Sequence, residues 1–156
     1  MEKILIIFHS HNGTVEKMSQ AIKQGVENNG CSVDLKRAHK ATWQDLKTAK
    51  GIAIGTPDYF DYMAGTVKDF FDRIFYDSQS KIKGSLVADI PCVFFASGGT
   101  GGMPAIESLK SIAQSFKFKL IDFIAIGSQL SNADLQKCEK LGMTLAESVL
   151  MNSEKI

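Results

Sequence analysis

The sequence lacks the features that would assign it to several special classes of protein. Its three cysteines, Cys31, Cys92 and Cys138, lie far apart without CxxC spacing, so we predict neither a disulfide framework nor a zinc site. No window contains the ~18 consecutive apolar residues of a membrane span. The net charge is +1 and no basic run is present, which gives no support for nucleic-acid binding.

The start of the chain also lacks an export signal. MEKILIIFHS has no basic region followed by an apolar stretch and a cleavage site, so we expect a cytoplasmic protein. The length of 156 residues is that of one ordinary domain, and a content of 44% hydrophobic and 22% charged residues is typical of a globular protein. We therefore predict a single domain over residues 1–156.

Five apolar segments of strand length alternate with helical patterns along the chain. The predicted strands are KILIIFH (3–9), CSVDLKR (31–37), GIAIGT (51–56), IPCVFFAS (90–97) and KLIDFIAIG (119–127). Continuous apolar runs are typical of parallel strands that are buried on both faces, and the alternating second strand indicates a place nearer an edge. The alternation predicts an α/β fold with a parallel sheet and helices on both faces.

Apolar residues recur at helical spacing between the strands. The predicted helices begin near Thr14, near Thr42, near Met63, at Pro104 and near Asn132, and the fourth extends to Phe116. Cys138 lies on the apolar stripe of the last helix, so we predict a buried and inert thiol. Ligands of such sheets bind at the carboxyl ends of the strands, and the unusual loops of this chain follow strands 1, 3 and 4.

The first of these loops, SHNG, connects strand 1 to a helix. A helix N-terminus offers unpaired N–H groups and a partial positive charge, which suit a phosphate. Ser10, Asn12 and Thr14 add short donors, and Gly13 lets the backbone come close or adopt a positive φ. The loop contains no lysine or arginine, but amides and hydroxyls alone can hold a monophosphate.

Other interpretations of the first loop are weaker. His9 and His11 could converge on a metal ion, but no acidic or cysteine side chain follows nearby as a third ligand, so we predict no metal. Asn12-Gly13 is a common hairpin turn, but a helical pattern follows it instead of a strand. A helix-capping turn that binds nothing stays open as an alternative.

The second and third loops offer different chemistry. GTPDYFDYM carries Tyr59, Phe60 and Tyr62, whose flat faces suit a planar ring, although these side chains could simply cover the next helix. SGGTGGM exposes backbone N–H and C=O groups that can bond the edge of a heterocycle. It is not a dinucleotide fingerprint, because Pro104 stands where the last glycine is needed. The three loops together describe a site for FMN, which has one phosphate and a large flat ring.

On these residues the sequence resembles the flavodoxin superfamily over essentially its whole length. Within the superfamily it is most similar to the WrbA-type NAD(P)H:quinone oxidoreductases and short flavodoxin-like FMN reductases, through GTPDYFDYMAGTVKDFFDR and ASGGTGG. The resemblance implies a three-layer flavodoxin-like fold with the strand order 2-1-3-4-5. The cofactor-binding residues that it implies are Ser10, His11, Asn12, Gly13, Thr14, Val15, Thr56, Pro57, Asp58, Tyr59, Phe60, Ser97, Gly98, Gly99, Thr100, Gly101 and Gly102.

Two departures limit what the resemblance implies. Residues 76–91 are too few for the insertion that helps to build the quinone and nicotinamide site of WrbA-type enzymes. The flavin-contacting histidine that those enzymes carry beyond the third loop has no counterpart around QSFKFKLID. The resemblance therefore implies FMN binding more strongly than it implies a substrate.

The expected function is an FMN-dependent reductase that takes electrons from NAD(P)H and passes them to a quinone, a flavin or a similar small acceptor. In such a protein the flavin does the chemistry and the chain orients it. The alternative is a flavodoxin that carries single electrons between larger redox proteins. Carriers in this family are usually strongly acidic, and the net charge of +1 argues against that role.

Two further expectations concern signalling and assembly. A receiver-type signalling domain needs clustered carboxylates after strand 1 and a lysine after strand 5. This chain has FHS and GSQ at those places, which argues against that class. By analogy with WrbA-type relatives, a homo-oligomer in which a neighbouring chain closes the flavin site is expected as a substitute for the short insertion.

Overall fold

Strands and helices alternate along the chain, as the apolar pattern predicts. The computed structural model describes residues 1–80 and 84–154. The strands are β1 (Lys3–Phe8), β2 (Ser32–Arg37), β3 (Gly51–Pro57), β4 (Gln79–Ser80), β5 (Gly84–Ser85), β6 (Pro91–Ser97) and β7 (Lys119–Ile126). The helices are α1 (Thr14–Glu27), α2 (Trp43–Lys47), α3 (Gly65–Ser78), α4 (Met103–Ala113) and α5 (Asn132–Glu154), with 3₁₀ turns at Ala38–Lys40 and Gln114–Phe116.

The main sheet is five-stranded and parallel, with the order β2-β1-β3-β6-β7. This confirms the predicted order of 2-1-3-4-5, because β4 and β5 form a separate short antiparallel pair and only shift the numbering. It also confirms that the second strand is an edge strand. The chain passes from β1 to β2 on one side and returns to β3 on the other, so the topological switch lies between β1 and β3, where such sheets bind ligands.

Alternate residues of the central strands face two separate hydrophobic cores. Ile4, Ile6 and Phe8 of β1 pack in the core under α1 and α5, whereas Leu5 and Ile7 pack in the core under α3 and α4. Each of these side chains is almost fully buried, which stabilises the fold by roughly 1.5–3 kcal/mol per side chain. The strand ends that carry the loops are therefore held firmly in place.

Two predicted helix boundaries are wrong. Met63 lies in the loop before α3. Its N–H donates to the hydroxyl of Ser108 (3.0 Å), and the N–H of Ala64 donates to the hydroxyl of Thr56 (2.8 Å), so the helix begins only at Gly65. Phe116 lies in a 3₁₀ turn after α4, and Lys117 ends that turn at a φ of 59°. Long-range acceptors of this kind leave no local trace in the sequence.

Helices α1 and α5 approach each other closely through two glycines. A Cβ atom built on Gly142 would collide with the carbonyl oxygen of Ile22, and one built on Gly25 would collide with that of Glu139. Nearby on α5, Cys138 is buried as predicted, and burial raises the pKa of its thiol to about 12. The prediction of an inert thiol agrees with this environment.

Candidate cofactor site

The three predicted loops lie side by side at the carboxyl edge of the sheet. The N–H of Asp58 donates to the carbonyl oxygen of Ser97 (2.8 Å), which joins the second loop to the third. The imidazole of His9 lies 2.8 Å from the hydroxyl of Thr66 and meets the ring of Tyr59 edge-on at 5.7 Å, which joins the first loop to the second. The loops therefore form one continuous surface around the topological switch point.

Gly13 shapes the first loop by adopting a left-handed conformation just before α1. Its φ is 94°, a value that favours glycine, and a Cβ atom there would meet no atom within 4 Å. The N–H of Gly13 donates to the hydroxyl of Ser10 (3.1 Å), and the N–H of Thr14 donates to the side-chain oxygen of Asn12 (3.3 Å). Short polar side chains thus order the turn locally, and open space lies beside Gly13.

The first turn of α1 supplies backbone donors. The helix ladder starts with the bond from Lys17 N–H to the Gly13 carbonyl oxygen (3.0 Å), and the N–H groups ahead of it have no helical carbonyl to bond. The side chain of Val15 is buried in the core, so Val15 can reach an anion only through its backbone. His11 and Asn12 are exposed.

Arg37 lies against the first loop, although no sequence motif indicated a role for it. This residue ends β2, and its guanidinium donates to the carbonyl oxygen of Ser10 (2.9 Å) and to the carboxylate of Glu16 (3.2 Å). It also lies over the ring of Phe8, 5.1 Å from the centroid. The strand order was the signal that could have found it, because the order 2-1 places the carboxyl ends of β1 and β2 together.

His9 has an environment that disfavours its charged form. Burial lowers the pKa of its imidazole, and the nearby charges of Arg37, His11 and His39 lower it further. The three histidines of the chain, His9, His11 and His39, therefore lie close enough for their charges to interact. Within residues 1–80 and 84–154, no group of three His, Cys, Asp or Glu side chains has a geometry that could hold a metal ion.

The second loop lifts an aromatic ring into solvent. Tyr59 and Tyr62 exchange backbone hydrogen bonds of 2.9 and 3.1 Å across a tight turn, in which Phe60 and Asp61 both have positive φ values of 56° and 62°. This is the geometry of a type I′ turn. Phe60 is fully exposed, and Tyr59 and Tyr62 are partly exposed. Because Phe60 is fully exposed, the helix-cover alternative does not describe this residue.

Thr56 has a structural position. Its side chain is fully buried, and its hydroxyl accepts from Ala64 N–H and donates to the Pro57 carbonyl oxygen (2.7 Å). Both bonds hold the second loop against β3. Thr56 therefore shapes the loop, and its hydroxyl is already engaged.

The third loop brings bare backbone to the surface. Gly98 N–H donates to the carbonyl oxygen of Ile126 (3.1 Å), and Gly101 N–H donates to that of Gly98 (3.0 Å). Gly102 precedes α4 with a φ of 82°, and a Cβ atom there would lie 3.2 Å from the Ala96 carbonyl. Gly99 and Thr100 are exposed, whereas Ser97 is buried.

Asp58 carries a buried oxygen atom that lacks a partner. Its Oδ1 accepts from Asp61 N–H (2.9 Å), but its Oδ2 is buried and has no hydrogen-bond partner among the described residues. Gly98 lies directly beside it, since a Cβ atom on Gly98 would be 2.8 Å from the Cβ of Asp58. Buried oxygens without a partner are uncommon in native proteins. This one, between the second and third loops, fits an N–H donor of a ligand.

A fourth loop also reaches the site. Residues 127–131 follow β7, and the carbonyl oxygen of Ser128 accepts from the hydroxyl of Thr14 (3.3 Å). Ser131 and Asp134 then form a reciprocal cap at the start of α5, with bonds of 3.0 and 3.1 Å. No sequence motif indicated that this loop belongs to the site.

A separate cavity opens at the opposite edge of the sheet. It has a volume of about 490 Å³, and its lining includes Lys50, just before β3, and Pro91, at the start of β6. This is the amino end of the strands, where the loops described above do not reach. We place the candidate cofactor site at the carboxyl edge, because the helix N-terminus, the aromatic turn and the partnerless Asp58 oxygen all lie there.

Comparison with known proteins identifies the family. The family model described as Flavodoxin matches residues 6–142. This chain belongs to the flavodoxin family. It is 28% identical to a flavodoxin of Aquifex aeolicus, over 96% of this chain and 88% of that protein. It is also 27% identical to an NAD(P)H dehydrogenase (quinone) of Gluconacetobacter diazotrophicus, over 60% of this chain and 56% of that protein.

Solved structures share the fold. A flavodoxin from the domain Archaea superposes with a TM-score of 0.81 at 22% identity, covering 94% of this chain and 98% of that one. A flavodoxin, WrbA-like protein from Agrobacterium tumefaciens superposes with a TM-score of 0.74 at 17% identity, covering 97% and 99%. The predicted superfamily and fold are confirmed, and the protein is a flavodoxin-like flavoprotein of electron transfer.

The other predictions concern the membrane, the domain organisation, the assembly and the site residues. Across the described residues, no helix combines the length and the apolar character that crossing a membrane requires. The single domain over residues 1–156, the homo-oligomer and the roles of the individual site residues stay predictions.

Proposed function

We propose that this protein binds FMN in the three loops and carries electrons between redox proteins. The main support is that two features lie on one surface. The N-terminus of α1 at Gly13 is suited to a phosphate, the turn at Phe60 exposes an aromatic ring, and His9 contacts Tyr59 of that turn. FMN, when bound, supplies the redox chemistry by accepting and donating electrons. The chain supplies a cradle for the phosphate, contacts for the ring and an approach for partners.

The phosphate end of the proposed site is the first loop. The first-turn N–H groups of α1 and the hydroxyls of Ser10 and Thr14 lie close to Gly13, which has open space beside it. They would hold a dianion by direct hydrogen bonds and by the positive end of the helix dipole. The residues proposed to take part are Ser10, His11, Asn12, Gly13, Thr14 and Val15.

The ring end of the proposed site lies between the second and third loops. Tyr59 and Phe60 offer flat apolar faces that exclude water from a planar ring. The Asp58 Oδ2 atom would accept a hydrogen bond from the ring N–H of a flavin, which removes the need for a partner within the chain. The exposed backbone of Gly99 and Thr100 would bond the polar edge of the ring.

Length and coverage favour the carrier over the reductase expected from the sequence. Only residues 79–90 separate α3 from β6, so the chain offers little material to build a separate nicotinamide site. The flavodoxin relative matches 96% of this chain, whereas the quinone dehydrogenase relative matches 60%. Partner proteins of the carrier would approach the exposed side of Phe60.

Direct reduction by NAD(P)H is the second candidate. The net charge of +1 favours it, because electron carriers usually steer their partners with a strongly charged surface. In this function the electron donor is NAD(P)H and the acceptor is a quinone, a flavin or a similar small molecule.

An anaerobic titration separates the two candidates. The purified protein is saturated with FMN, and NADH or NADPH is added while the visible absorption of the oxidised flavin is followed. For the carrier we expect no rapid loss of absorption until a catalytic amount of a separate NAD(P)H-dependent reductase is added. Rapid loss without that reductase would establish the second candidate, and failure of the apoprotein to bind FMN would contradict both.

A further inference from the structure

Arg37 links the three elements that build the phosphate loop. It ends β2, its guanidinium bonds the Ser10 carbonyl oxygen just after β1, and it pairs with Glu16 in the first turn of α1. The guanidinium also rests over the Phe8 ring at the end of β1. One side chain from an edge strand therefore contacts the strand end, the loop and the helix start.

The bond to Ser10 fixes a peptide unit of the loop. No cis peptide bond occurs in the described residues, and in a trans peptide the C=O and the following N–H point in opposite directions. Because the Ser10 carbonyl points to Arg37, the N–H of His11 points to the other side of the loop. Arg37 thus directs one backbone donor away from β2.

The charge of Arg37 stands where a cation is usually disfavoured. The N-terminus of α1 carries the positive end of the helix dipole, and the neighbouring guanidinium adds a full positive charge. Glu16 compensates part of that charge at 3.2 Å, with both side chains more than a third exposed. A bound dianion would supply further negative charge next to Arg37 and the N-terminus of α1.

We propose that Arg37 is a positioning residue that orients the first loop and makes the site select phosphorylated flavins. This inference rests on the proposed binding of FMN. The loop itself has no lysine or arginine, so the only cationic side chain bonded to it in the described residues comes from β2. Arg37 acts through the loop backbone and through its electric field, and it does not take part in the redox chemistry.

Binding of FMN and of riboflavin to the apoprotein tests the proposal, because the two differ only by the phosphate. Arg37→Ala should weaken FMN by roughly five- to tenfold and leave riboflavin within about twofold. Arg37→Lys should restore part of the preference, since it keeps the charge and loses the planar fork. Lys40→Ala is the matched control: it removes the same charge from an exposed residue nearby, and it should change neither affinity.

Salt and Glu16 give two further readouts. The preference of the wild type for FMN should fall as ionic strength rises, and the preference of Arg37→Ala should depend less on salt. Glu16→Gln removes the compensating charge and should raise the preference by about two- to threefold. Equal losses of FMN and riboflavin in Arg37→Ala, or a lowered preference in Glu16→Gln, would overturn the role of Arg37. A wild type that binds neither flavin would instead overturn the proposed function.

Discussion

Helix α1 needs glycine at its N-terminus and along its length for opposite reasons. At its N-terminus, Gly13 stands in open space and is needed for its positive φ of 94°. Along its length α1 meets α5, where Gly25 and Gly142 have no room for a Cβ atom against the partner backbone. One region thus stabilises the molecule through close packing, whereas the other leaves open space where we propose that the phosphate binds.

The largest expected effect is on the packing side of this comparison. Gly142→Ala places a methyl group against the Ile22 carbonyl and forces the two helices apart, so the free energy of unfolding should fall by about 2–3 kcal/mol. Urea denaturation of the apoprotein measures it. The FMN affinity of the folded fraction should stay within about twofold, because the site lies elsewhere.

Gly65→Ala is the matched control for that substitution. Gly65 starts α3, has no atom within 4 Å of a built Cβ and has no positive φ. Alanine there should leave stability unchanged or raise it by about 0.5–1 kcal/mol. Equal stability in the two variants would show that the helix contact can relax without loss.

At the N-terminus of α1 we expect a smaller loss of stability together with a loss of FMN binding. Gly13→Val should lower the free energy of unfolding by about 1–2 kcal/mol because of its positive φ. It should also weaken FMN by at least about tenfold, because a branched side chain fills the space beside the loop. Fluorescence titration of the apoprotein measures the binding.

Gly13→Ala separates strain from obstruction. Its Cβ atom meets no protein atom, so it should show a similar loss of stability with a milder loss of FMN. A folded Gly13→Val variant that binds FMN as the wild type does would show that the phosphate does not lie there.

The fold followed from the sequence because its cause is local. The strands β1, β3 and β6 are continuous apolar runs buried on both faces, so their pattern identifies them and their parallel arrangement. The start of α3 did not follow, since it depends on hydroxyls of Thr56 and Ser108, of which Ser108 is 45 positions from Met63. Short segments such as β4 and β5 carry too few residues to show a period.

The candidate site followed from the sequence in its backbone and less well in its side chains. The three loops could be predicted because the topology brings strand ends together whatever the loops contain. Arg37 was not assigned, since it is 27 positions from Ser10 and no local motif marks it, so that only the strand order places it beside the loop. The turn at Phe60 was also hidden, because nothing in YFDY requires two residues of positive φ.

A moderate loss of FMN affinity is expected when aromatic side chains of the second loop are removed. The double substitution Tyr59→Ala, Phe60→Ala should weaken FMN by about 1–3 kcal/mol, the scale of two aromatic contacts. It should lower the free energy of unfolding by only about 0.5–1.5 kcal/mol, because Phe60 is fully exposed and the main loss is the edge-on contact between Tyr59 and His9. Flavin fluorescence, which aromatic contact quenches, gives a second measurement.

Tyr76→Ala is the control for the aromatic pair. Tyr76 is an exposed aromatic residue on α3 that packs against Phe75 and lies outside the three loops. If the double variant and the control bind FMN equally well, the aromatic turn does not touch the ring.

The smallest expected effect concerns pH and the residue that joins the first two loops. Burial and neighbouring charges lower the pKa of His9 below its ordinary value of 6.5. Below that value the unfolded chain binds a proton more readily than the folded chain, so the free energy of unfolding should fall as the pH falls. His9→Gln should reduce this dependence, whereas His39→Gln, which removes an exposed histidine, should retain most of it. Urea denaturation at pH 7.5 and pH 5.5 measures the difference, and equal pH dependence in the wild type and His9→Gln would show that His9 does not contribute to it.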